Sequence, residues 1–172
     1  MTVEIVTLDA LTAQAHITEF AEILSDCVNG GAGVSFMAPF SVEDALAWWP
    51  GPFASVARGE RILFGAKKSG KIVGTVQLIL DTPPNQRHRA DISKMLVHSH
   101  ARKQGIGERL MLAAETQARA NRRTLLTLDT VTGSASQRLY SRLGWSVAGS
   151  IPDYAYLPNG QLHPATFMWK SL

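Results

Sequence analysis

The N-terminal part of the chain has the pattern of one strand followed by helices. Val3 to Leu8 alternates weakly between apolar and polar residues, which predicts a first strand. Ala10 to Val28 carries apolar residues at helical spacing, and Asn29-Gly30-Gly31 should end that helix because these residues accept positive φ. Ser41 and Asp44 resemble a capping box, so a second helix is expected to begin there and to end or kink at the prolines that follow.

The remaining pattern alternates strands with helices. Strands are predicted at Arg61 to Lys67, Lys71 to Leu80, Arg89 to His98, Thr124 to Thr130, Trp145 to Ala148 and Thr166 to Lys170. Helices are predicted at Gln104 to Asn121, whose apolar residues keep to one face, and at Ser134 to Leu143. This order favours an α+β (mixed α/β) fold, in which residues 91–130 form a right-handed crossover between parallel strands.

Length and composition indicate one domain of ordinary size over residues 1–172. Apolar residues make up 45% of the chain and charged residues 18%, as in a globular protein with a single core. The formal charge of +3 is too small to indicate nucleic-acid binding, and the Lys and Arg residues are dispersed. We see neither a signal peptide nor a membrane span of roughly 20 apolar residues, so no membrane association and a cytoplasmic location are expected.

Metal and disulfide chemistry are not expected. Cys27 is the single cysteine, which excludes an intramolecular disulfide and a Cys-rich zinc site. It lies in an apolar run with helical spacing, which favours a buried packing role over a reactive thiol. His98 and His100 lack a metal partner at convincing spacing and are interpreted as surface histidines.

The residues from Val97 to Gly107 have the character of an anion-binding turn. An apolar strand ends, a basic turn with Arg102 and Lys103 follows, and an amphipathic helix begins. The first N–H groups of a helix have no internal partner and lie at the positive end of its dipole. Gly105 and Gly107 lack a Cβ, so a phosphate can approach the backbone closely. An ordinary helix start is the alternative, whereas a P-loop is excluded because no Gly-Lys-Ser/Thr follows the glycines.

Three stretches resemble the GNAT superfamily of N-acetyltransferases. Arg102-x-x-Gly105-x-Gly107 is similar to its Arg/Gln-x-x-Gly-x-Gly/Ala signature, and Ile92 to Val97 resembles its acyl-binding strand. Ser136 to Trp145, with Leu-Tyr and then Gly-Trp, resembles its second motif. The resemblance implies a single central twisted mixed sheet of about seven strands, with helices on both faces and a splay between the fourth and fifth strands.

Two further segments, one on each side of the matched region, resemble one particular subgroup of the superfamily. Gly30 to Met37 and Leu157 to Pro164 are similar to the corresponding segments of the tabtoxin-resistance acetyltransferase subgroup. That similarity implies transfer of the acetyl group of acetyl-CoA to a primary amine of a small molecule, such as an amino-acid-like or β-lactam toxin, by direct attack in a ternary complex. It also implies a possible homodimer, since dimers are frequent in this family.

The resemblance also implies where acetyl-CoA binds. The backbone of Met95, Leu96 and Val97 should pair with the pantetheine arm, which lies in the gap between the two splayed strands. The pyrophosphate should meet the turn and the helix start, namely Arg102, Lys103, Gln104, Gly105, Ile106, Gly107 and Glu108. The family's frequent Asn after the fifth strand falls at Gly133 in this chain, and Ser134 is expected to contribute in its place.

Catalysis needs a proton acceptor for the amine and a proton donor for the departing thiolate. Asp91 and Asp129 resemble the acidic positions of the subgroup and are expected at comparable ends of the two strands that line the gap. Either carboxylate could instead cap a loop or pair with an arginine such as Arg89. Tyr140 matches the family's general acid and would also bind the co-substrate, although a packed helix aromatic is the alternative. Backbone N–H near Leu96 is expected to stabilise the oxyanion.

The acceptor side is the least defined part of the predicted site. The candidate substrate-binding residues are Phe36, Asp129, Asp153, Tyr154 and His163, of which the last three are expected in a loop before the last strand. Two other function classes stay open at this point. One is a non-catalytic acyl-CoA-binding module, and the other is a basic nucleic-acid-binding module, which the dispersed Lys and Arg residues disfavour.

Overall fold

Seven strands form one mixed sheet in the computed structural model, which describes residues 2–172. The strands are β1 (Val3–Leu8), β2 (Arg61–Lys68), β3 (Lys71–Ile79), β4 (Arg89–Val97), β5 (Leu125–Val131), β6 (Ser146–Tyr156) and β7 (Leu162–Ser171). Their order across the sheet is β1-β2-β3-β4-β5-β7-β6. Neighbouring strands are antiparallel except β4 and β5, which are parallel as the sequence predicts.

Six α-helices connect and cover these strands. They are α1 (Ala10–Ala15), α2 (Ile17–Asn29), α3 (Val42–Trp48), α4 (Pro50–Ala57), α5 (Ile106–Ala120) and α6 (Ala135–Arg142). The predicted capping box is present, because the Ser41 side chain accepts from the Asp44 amide while the Asp44 carboxylate accepts from the Ser41 amide. The single helix predicted from residue 10 to 28 is wrong, since His16 leaves helical geometry at φ −106° and ψ 14° and divides it into α1 and α2.

Two apolar clusters fill the space on the two faces of the sheet. On one face α5 packs its apolar stripe against the sheet, with Leu110, Leu126 and Met168 fully buried. The other face is covered by the N-terminal helices, where Phe20 and Trp49 pack their rings at 4.8 Å between centroids. Helices on both faces of one mixed sheet confirm the predicted fold class.

The parallel strands β4 and β5 pair only where they begin. Their registered pairs, within the residues that the structure describes, are Arg89 with Leu125, Ala90 with Leu126 and Asp91 with Thr127. Both strands continue beyond these pairs, to Val97 and Val131, so they diverge toward their carboxyl ends. The predicted splay between the fourth and fifth strands is therefore present.

The last two strands are longer than the sequence predicts. Residues 149–165 look like a loop because they are rich in Pro, Gly and polar residues, yet most of them belong to the β6–β7 hairpin. Bulges absorb the unfavourable residues, since the register shifts between Ile151 and Ala155, where Asp153 takes φ 50°. The expectation that Asp153, Tyr154 and His163 lie in a loop is wrong.

A buried carboxylate ties α5 to the carboxyl-terminal part of the sheet. Glu115 is 2% exposed and accepts hydrogen bonds from Trp145 Nε1 (3.1 Å) and from Lys170 Nζ (2.7 Å). Lys170 Nζ also donates to the carbonyl of Leu143 (2.7 Å). These paired groups satisfy one another, which a buried charge requires.

Within residues 2–172, none of the helices combines the length and the apolar character needed to cross a membrane.

Candidate active site

A groove of about 720 Å³ opens where β4 and β5 diverge. Its walls are the segment Gly30–Ser35 after α2, the strand segment Ile92–Val97, the start of α5, the end of β5 and one face of α6. Parallel strands that separate expose backbone amides and carbonyls that a sheet would otherwise pair, so a ligand with amide groups can bind there as an added strand. The groove therefore combines a strand that is unpaired on its β5 side with a helix N-terminus.

The turn before α5 leaves the first amides of that helix available to a ligand. Gly105 is the N-cap residue with φ 73°, and no side chain caps the helix among the described residues. Lys103 also takes a positive φ of 59°, which brings the backbone sharply into the helix. A Cβ built at Gly105 meets no atom within 4 Å, so the space above this residue is open. The amides of residues 106–108 are thus without a side-chain cap and available to an anion beside the groove.

Gly107, the second glycine of the motif, is explained by helix packing and not by the close approach of a phosphate that we expected. A Cβ at Gly107 would lie 3.1 Å from Leu139 Cδ2 and 3.5 Å from Met95 Sδ. Gly107 therefore permits α5 to pack closely against α6 and β4, whereas Gly105 supplies the open, left-handed position.

Arg102 holds the turn in place, and its charge is less free than the sequence suggests. Its Nε donates to the Val97 carbonyl at 3.0 Å, and its Nη2 lies 3.6 Å from Asp26 Oδ2 and 3.6 Å from Cys27 Sγ. The guanidinium is therefore anchored to the end of β4 and to α2. Cys27 is buried and burial raises the pKa of its thiol, as expected for a packing residue.

A β-bulge in β4 faces the groove. The register with β3 shifts between Thr75–Leu96 and Gln77–Ser93, so Val76 is opposed by the two residues Lys94 and Met95. Lys94 takes φ 50°, an uncommon conformation for a residue with a side chain. A bulge leaves its extra residue without a ladder partner, which frees a backbone amide beside the groove.

Tyr140 comes from α6 and closes the groove wall opposite β4. It is 6% exposed and its ring centroid lies 6.0 Å from that of Trp145. Burial raises the pKa of Tyr140 to about 12, a hydrogen bond with Ser136 lowers it in part, and the negative charge of Asp129 raises it further. The phenol is therefore a weaker acid than its ordinary pKa of about 10 suggests, and it stays protonated across the neutral range.

The two candidate carboxylates lie in different environments. Asp129 lines the groove on β5, beyond the last β4–β5 pair, and is exposed. Asp91 lies in the closed part of the sheet opposite Thr127, where its carboxylate pairs with Arg89 Nη1 (2.5 Å) and accepts from the Thr127 hydroxyl. The expectation that both occupy comparable strand ends is wrong, because the parallel register places Asp91 two residues before the level of Asp129.

Comparison with known proteins identifies the family. The model described as the Acetyltransferase (GNAT) family matches residues 18–145. The chain belongs to the GNAT acetyltransferase family. An uncharacterized N-acetyltransferase from the hisH-hisA intergenic region of Azospirillum brasilense is 33% identical over 113 residues, which span 64% of this chain and 66% of that protein. The chain therefore aligns with slightly less than two thirds of that relative.

Solved structures share the fold over nearly the whole chain. A GNAT superfamily phosphinothricin acetyltransferase from Sinorhizobium meliloti, in complex with AcCoA, has a TM-score of 0.85 at 19% identity and covers 100% of this chain and 89% of its own. The structure of yncA from Salmonella typhimurium with its cofactor acetyl-CoA has a TM-score of 0.82 at 20% identity, with coverage of 100% and 95%. An N-acetyltransferase from Staphylococcus aureus Mu50 has a TM-score of 0.82 at 18% identity, with coverage of 99% of both chains.

Most residues predicted for acetyl-CoA line the GNAT groove. They are Met95, Leu96, Val97, Arg102, Lys103, Gly105, Ile106, Gly107, Glu108, Ser134 and Tyr140. Gln104 does not line it, because its side chain turns to Lys68, whose Nζ donates to Gln104 Oε1 at 2.7 Å. Ser134 is the N-cap of α6, and its hydroxyl accepts from the Gln137 amide at 3.1 Å.

The residues predicted for the acceptor divide into two groups. Phe36 belongs to an aromatic wall beside the groove, with its centroid 4.6 Å from that of Phe40 and 5.4 Å from that of Trp48. Tyr154 instead packs edge-on against Phe167 at 5.3 Å on the β6–β7 hairpin. Asp153, Tyr154 and His163 do not line the groove, since they belong to the β6–β7 hairpin, which lies beyond β5 in the sheet.

Two residues near the GNAT groove were absent from the sequence-based site. Lys94 lines the groove. Asp26 binds Ser99 in residues 98–105, the segment between β4 and α5 that we call the phosphate turn after its proposed ligand. Lys94 had a signal in the sequence, since a lysine interrupts the apolar run of a strand expected in the interior. Asp26 had a weaker one, an acidic residue beside Cys27 on the apolar side of a helix.

Proposed function

We propose that the protein transfers the acetyl group of acetyl-CoA to a primary amine of a small molecule, by direct attack in a ternary complex. The observation that supports this most is the meeting of three features in one groove. Uncapped amides at the start of α5, an unpaired stretch of β4 and the buried phenol of Tyr140 all line it. The first suits a pyrophosphate, the second the amides of pantetheine and the third a thiolate leaving group.

Asp129 is the proposed proton acceptor for the amine. An alkylammonium is almost fully protonated at neutral pH, so attack requires loss of a proton, which the carboxylate takes directly or through water. The neutral amine nitrogen then bonds to the acetyl carbon and the C–S bond breaks, so the sulfur leaves as a thiolate. The second proton of the nitrogen passes to that sulfur, directly or through water, which gives the amide and the free thiol of CoA. The freed amide of the β4 bulge stabilises the negative oxygen that forms on the carbonyl.

Tyr140 is proposed to stabilise the thiolate by donating a hydrogen bond. A pKa of about 12 makes complete proton transfer to a thiolate unfavourable, since a free thiol has a pKa of about 8.5. The charge of Asp129 contributes to that high pKa. When Asp129 accepts the amine proton, this contribution disappears and the phenol becomes a better donor at the step where the sulfur needs one.

An amino-acid-like or β-lactam toxin is the proposed kind of acceptor. The support is the similarity of Gly30–Met37 and Leu157–Pro164 to the tabtoxin-resistance subgroup. The two segments lie together, because the Ala38 amide donates to the Pro158 carbonyl at 3.0 Å and Gly33 packs beside Val131 and Leu157. We propose further that residues 1–172 form one domain and that it acts in the cytoplasm.

A homodimer through the β6–β7 hairpin is part of the proposal. Six large apolar side chains are exposed there, namely Val147, Ile151, Tyr154, Tyr156, Leu162 and Trp169. β6 is also an edge strand, so one row of its backbone groups is free to meet a second copy. Sedimentation of the wild type and of Tyr156→Arg tests this: the wild type should form a dimer that the added charge weakens.

The Tyr140→Phe variant tests the proposed function. We expect kcat to fall by about 10²-fold or more, as for loss of a hydrogen-bond donor to the developing charge, while the affinity for acetyl-CoA measured by calorimetry falls by far less. A non-catalytic acyl-CoA-binding module predicts equal binding by both proteins but no acetyl transfer by the wild type to any amine. A wild type that binds no acetyl-CoA would contradict both functions.

A further inference from the structure

Lys94 places an ammonium group at the side of the groove next to Phe36 and Trp48, which we call the acceptor side. Its Nζ lies 5.6 Å from the centroids of both the Phe36 and the Trp48 rings and 3.4 Å from Ser35 Oγ. These three residues belong to the segment between α2 and α4. The cation is therefore held beside the aromatic wall.

The backbone of Lys94 shows that this position is imposed by the fold. The residue forms part of the β4 bulge and takes φ 50°, which costs free energy for any residue other than glycine. A bulge turns a side chain away from the normal alternation of a strand. In this chain it directs the lysine toward the acceptor-side wall.

The ammonium has unused capacity for an anion. Within residues 2–172 no carboxylate oxygen lies within 4.0 Å of Lys94 Nζ, which donates a hydrogen bond to Ser35 Oγ. Burial lowers the pKa of Lys94, the charge of Asp129 raises it in part, and the like charge of Arg61 lowers it further. A half-buried ammonium with three donors is stabilised by a negatively charged partner.

Neighbouring groups on the same sheet face add donors rather than acceptors. Gln77 is fully buried next to Ser93 in the register, and its Nε2 has no hydrogen-bond partner among the described residues. Arg61 Nη1 donates to Gln77 Oε1 at 2.5 Å, while its Nε is likewise without a partner in that part of the chain. Arg61 therefore adds a second positive charge whose effect reaches Lys94, and the carboxylate of Asp129 acts on Lys94 in the opposite sense.

We propose that Lys94 binds an anionic group of the acceptor, so the enzyme selects amines that also carry a carboxylate or a similar anion and rejects diamines and polyamines. This inference rests on the proposed function. An acceptor of that kind is complementary to the groove, because its anion meets Lys94 while its ammonium group meets the carboxylate of Asp129. A polyamine would instead bring a second positive charge against Lys94 and Arg61.

Matched acceptors and matched variants test the role of Lys94. The acceptors are the proteinogenic α-amino acids, their α-amides and the corresponding decarboxylated amines, which differ only in the anionic group. The variants are Lys94→Met, which keeps the length without the charge, Lys94→Arg, which keeps the charge, and Lys71→Met as an exposed lysine at the β2–β3 turn. We expect the wild type and Lys71→Met to prefer the best acid over its amide by about tenfold or more in kcat/KM.

The expected result is loss of that preference in Lys94→Met and its retention in Lys94→Arg. A folding defect would lower the rates with acid and amide together, so the ratio reports charge recognition alone. Equal rates with acids, amides and diamines in the wild type, or an unchanged ratio in Lys94→Met, would overturn the inference while leaving acetyl transfer intact. Calorimetry of the best-binding acid on the CoA-saturated proteins decides the same question without turnover: weaker binding to Lys94→Met supports it, and equal binding overturns it.

Discussion

Asp26 binds Ser99 through both of its carboxylate oxygens, with Oδ2 2.8 Å from the Ser99 amide and Oδ1 2.7 Å from the Ser99 hydroxyl. The same carboxylate lies 3.6 Å from Arg102 Nη2. One side chain near the end of α2 thus fixes both the beginning and the basic residue of the turn that leads into α5. The shape of the proposed pyrophosphate site depends on a residue far from it in the sequence.

Replacing Asp26 should therefore weaken acetyl-CoA binding through the shape of the turn. For Asp26→Ala we expect a loss of about 1 to 3 kcal/mol in unfolding free energy, because the Ser99 amide and the Arg102 guanidinium lose their partner. We also expect a several-fold weaker affinity for acetyl-CoA by calorimetry. Asp9→Ala is the matched control, since Asp9 accepts from the Thr12 amide at 2.7 Å as the cap of α1. It should lose stability but keep its affinity, and a similar loss of affinity in both variants would contradict the role given to Asp26.

Asp26 should also make the free energy of unfolding depend on pH. Burial raises the pKa of Asp26, but the two hydrogen bonds from Ser99 and the charges of His98 and Arg102 outweigh it, so the pKa is lower than usual. A lowered pKa in the folded state means that the stabilisation is present above the ordinary pKa of about 4 and is lost as the pH falls through the lower folded value. Urea unfolding of the wild type and Asp26→Asn should show a stability difference that shrinks in this acid range. A difference that grew on acidification would contradict it.

Gly105 offers a test of the anion site with two variants of equal size. Asn and Asp both tolerate the left-handed conformation better than other side chains, and the space above Gly105 is open. Gly105→Asp adds a negative charge where the phosphates should bind, whereas Gly105→Asn adds the same bulk without charge. We expect acetyl-CoA to bind the Asp variant about tenfold or more weakly than the Asn variant, as measured by thermal shift and calorimetry. Equal affinities would mean that no anion binds at this turn.

Asp129 and Asp91 should differ in their effect on the reaction. Asp129→Asn is expected to lower kcat by about 10²- to 10⁴-fold, because it removes the proposed base in the groove. Asp91→Asn should mainly lower stability, since Asp91 pairs with Arg89 and Thr127 in the closed part of the sheet. Steady-state kinetics with one amine acceptor, beside thermal unfolding of both proteins, measures the contrast. A large loss of kcat in Asp91→Asn, with only a loss of stability in Asp129→Asn, would assign the role of base to Asp91 instead.

The phenol of Tyr140 should keep its proton in alkaline solution. With its pKa raised to about 12, mainly by burial, less than a tenth of it ionises at pH 10. The rate with a saturating acceptor should therefore not fall between pH 8 and pH 10 through loss of this proton, whereas an ordinary tyrosine would be half ionised near pH 10. A pH titration of tyrosinate absorbance in the wild type and in Tyr140→Phe measures the pKa directly.

Local patterns predicted most of the elements because their causes lie within a few residues. The Ser41–Asp44 capping box is an example, since both partners belong to the same helical turn. The start of α5 is another, because a strand, a basic turn and Gly105 follow one another in the chain. The break at His16 and the long β6–β7 hairpin were missed, since packing and cross-strand pairing outweigh local propensity there.

Local sequence patterns were enough to predict the order of strands and helices, the glycine turn before α5 and the residue types of the proposed chemistry, because helix periodicity and turn residues act locally. The tertiary structure alone decided which of these residues meet. Strand register placed Asp129 in the groove and Asp91 in the closed sheet, and a bulge placed Lys94 beside the Phe36 and Trp48 rings. Register and bulges depend on contacts between residues far apart in the chain, and such contacts leave no periodic pattern along it.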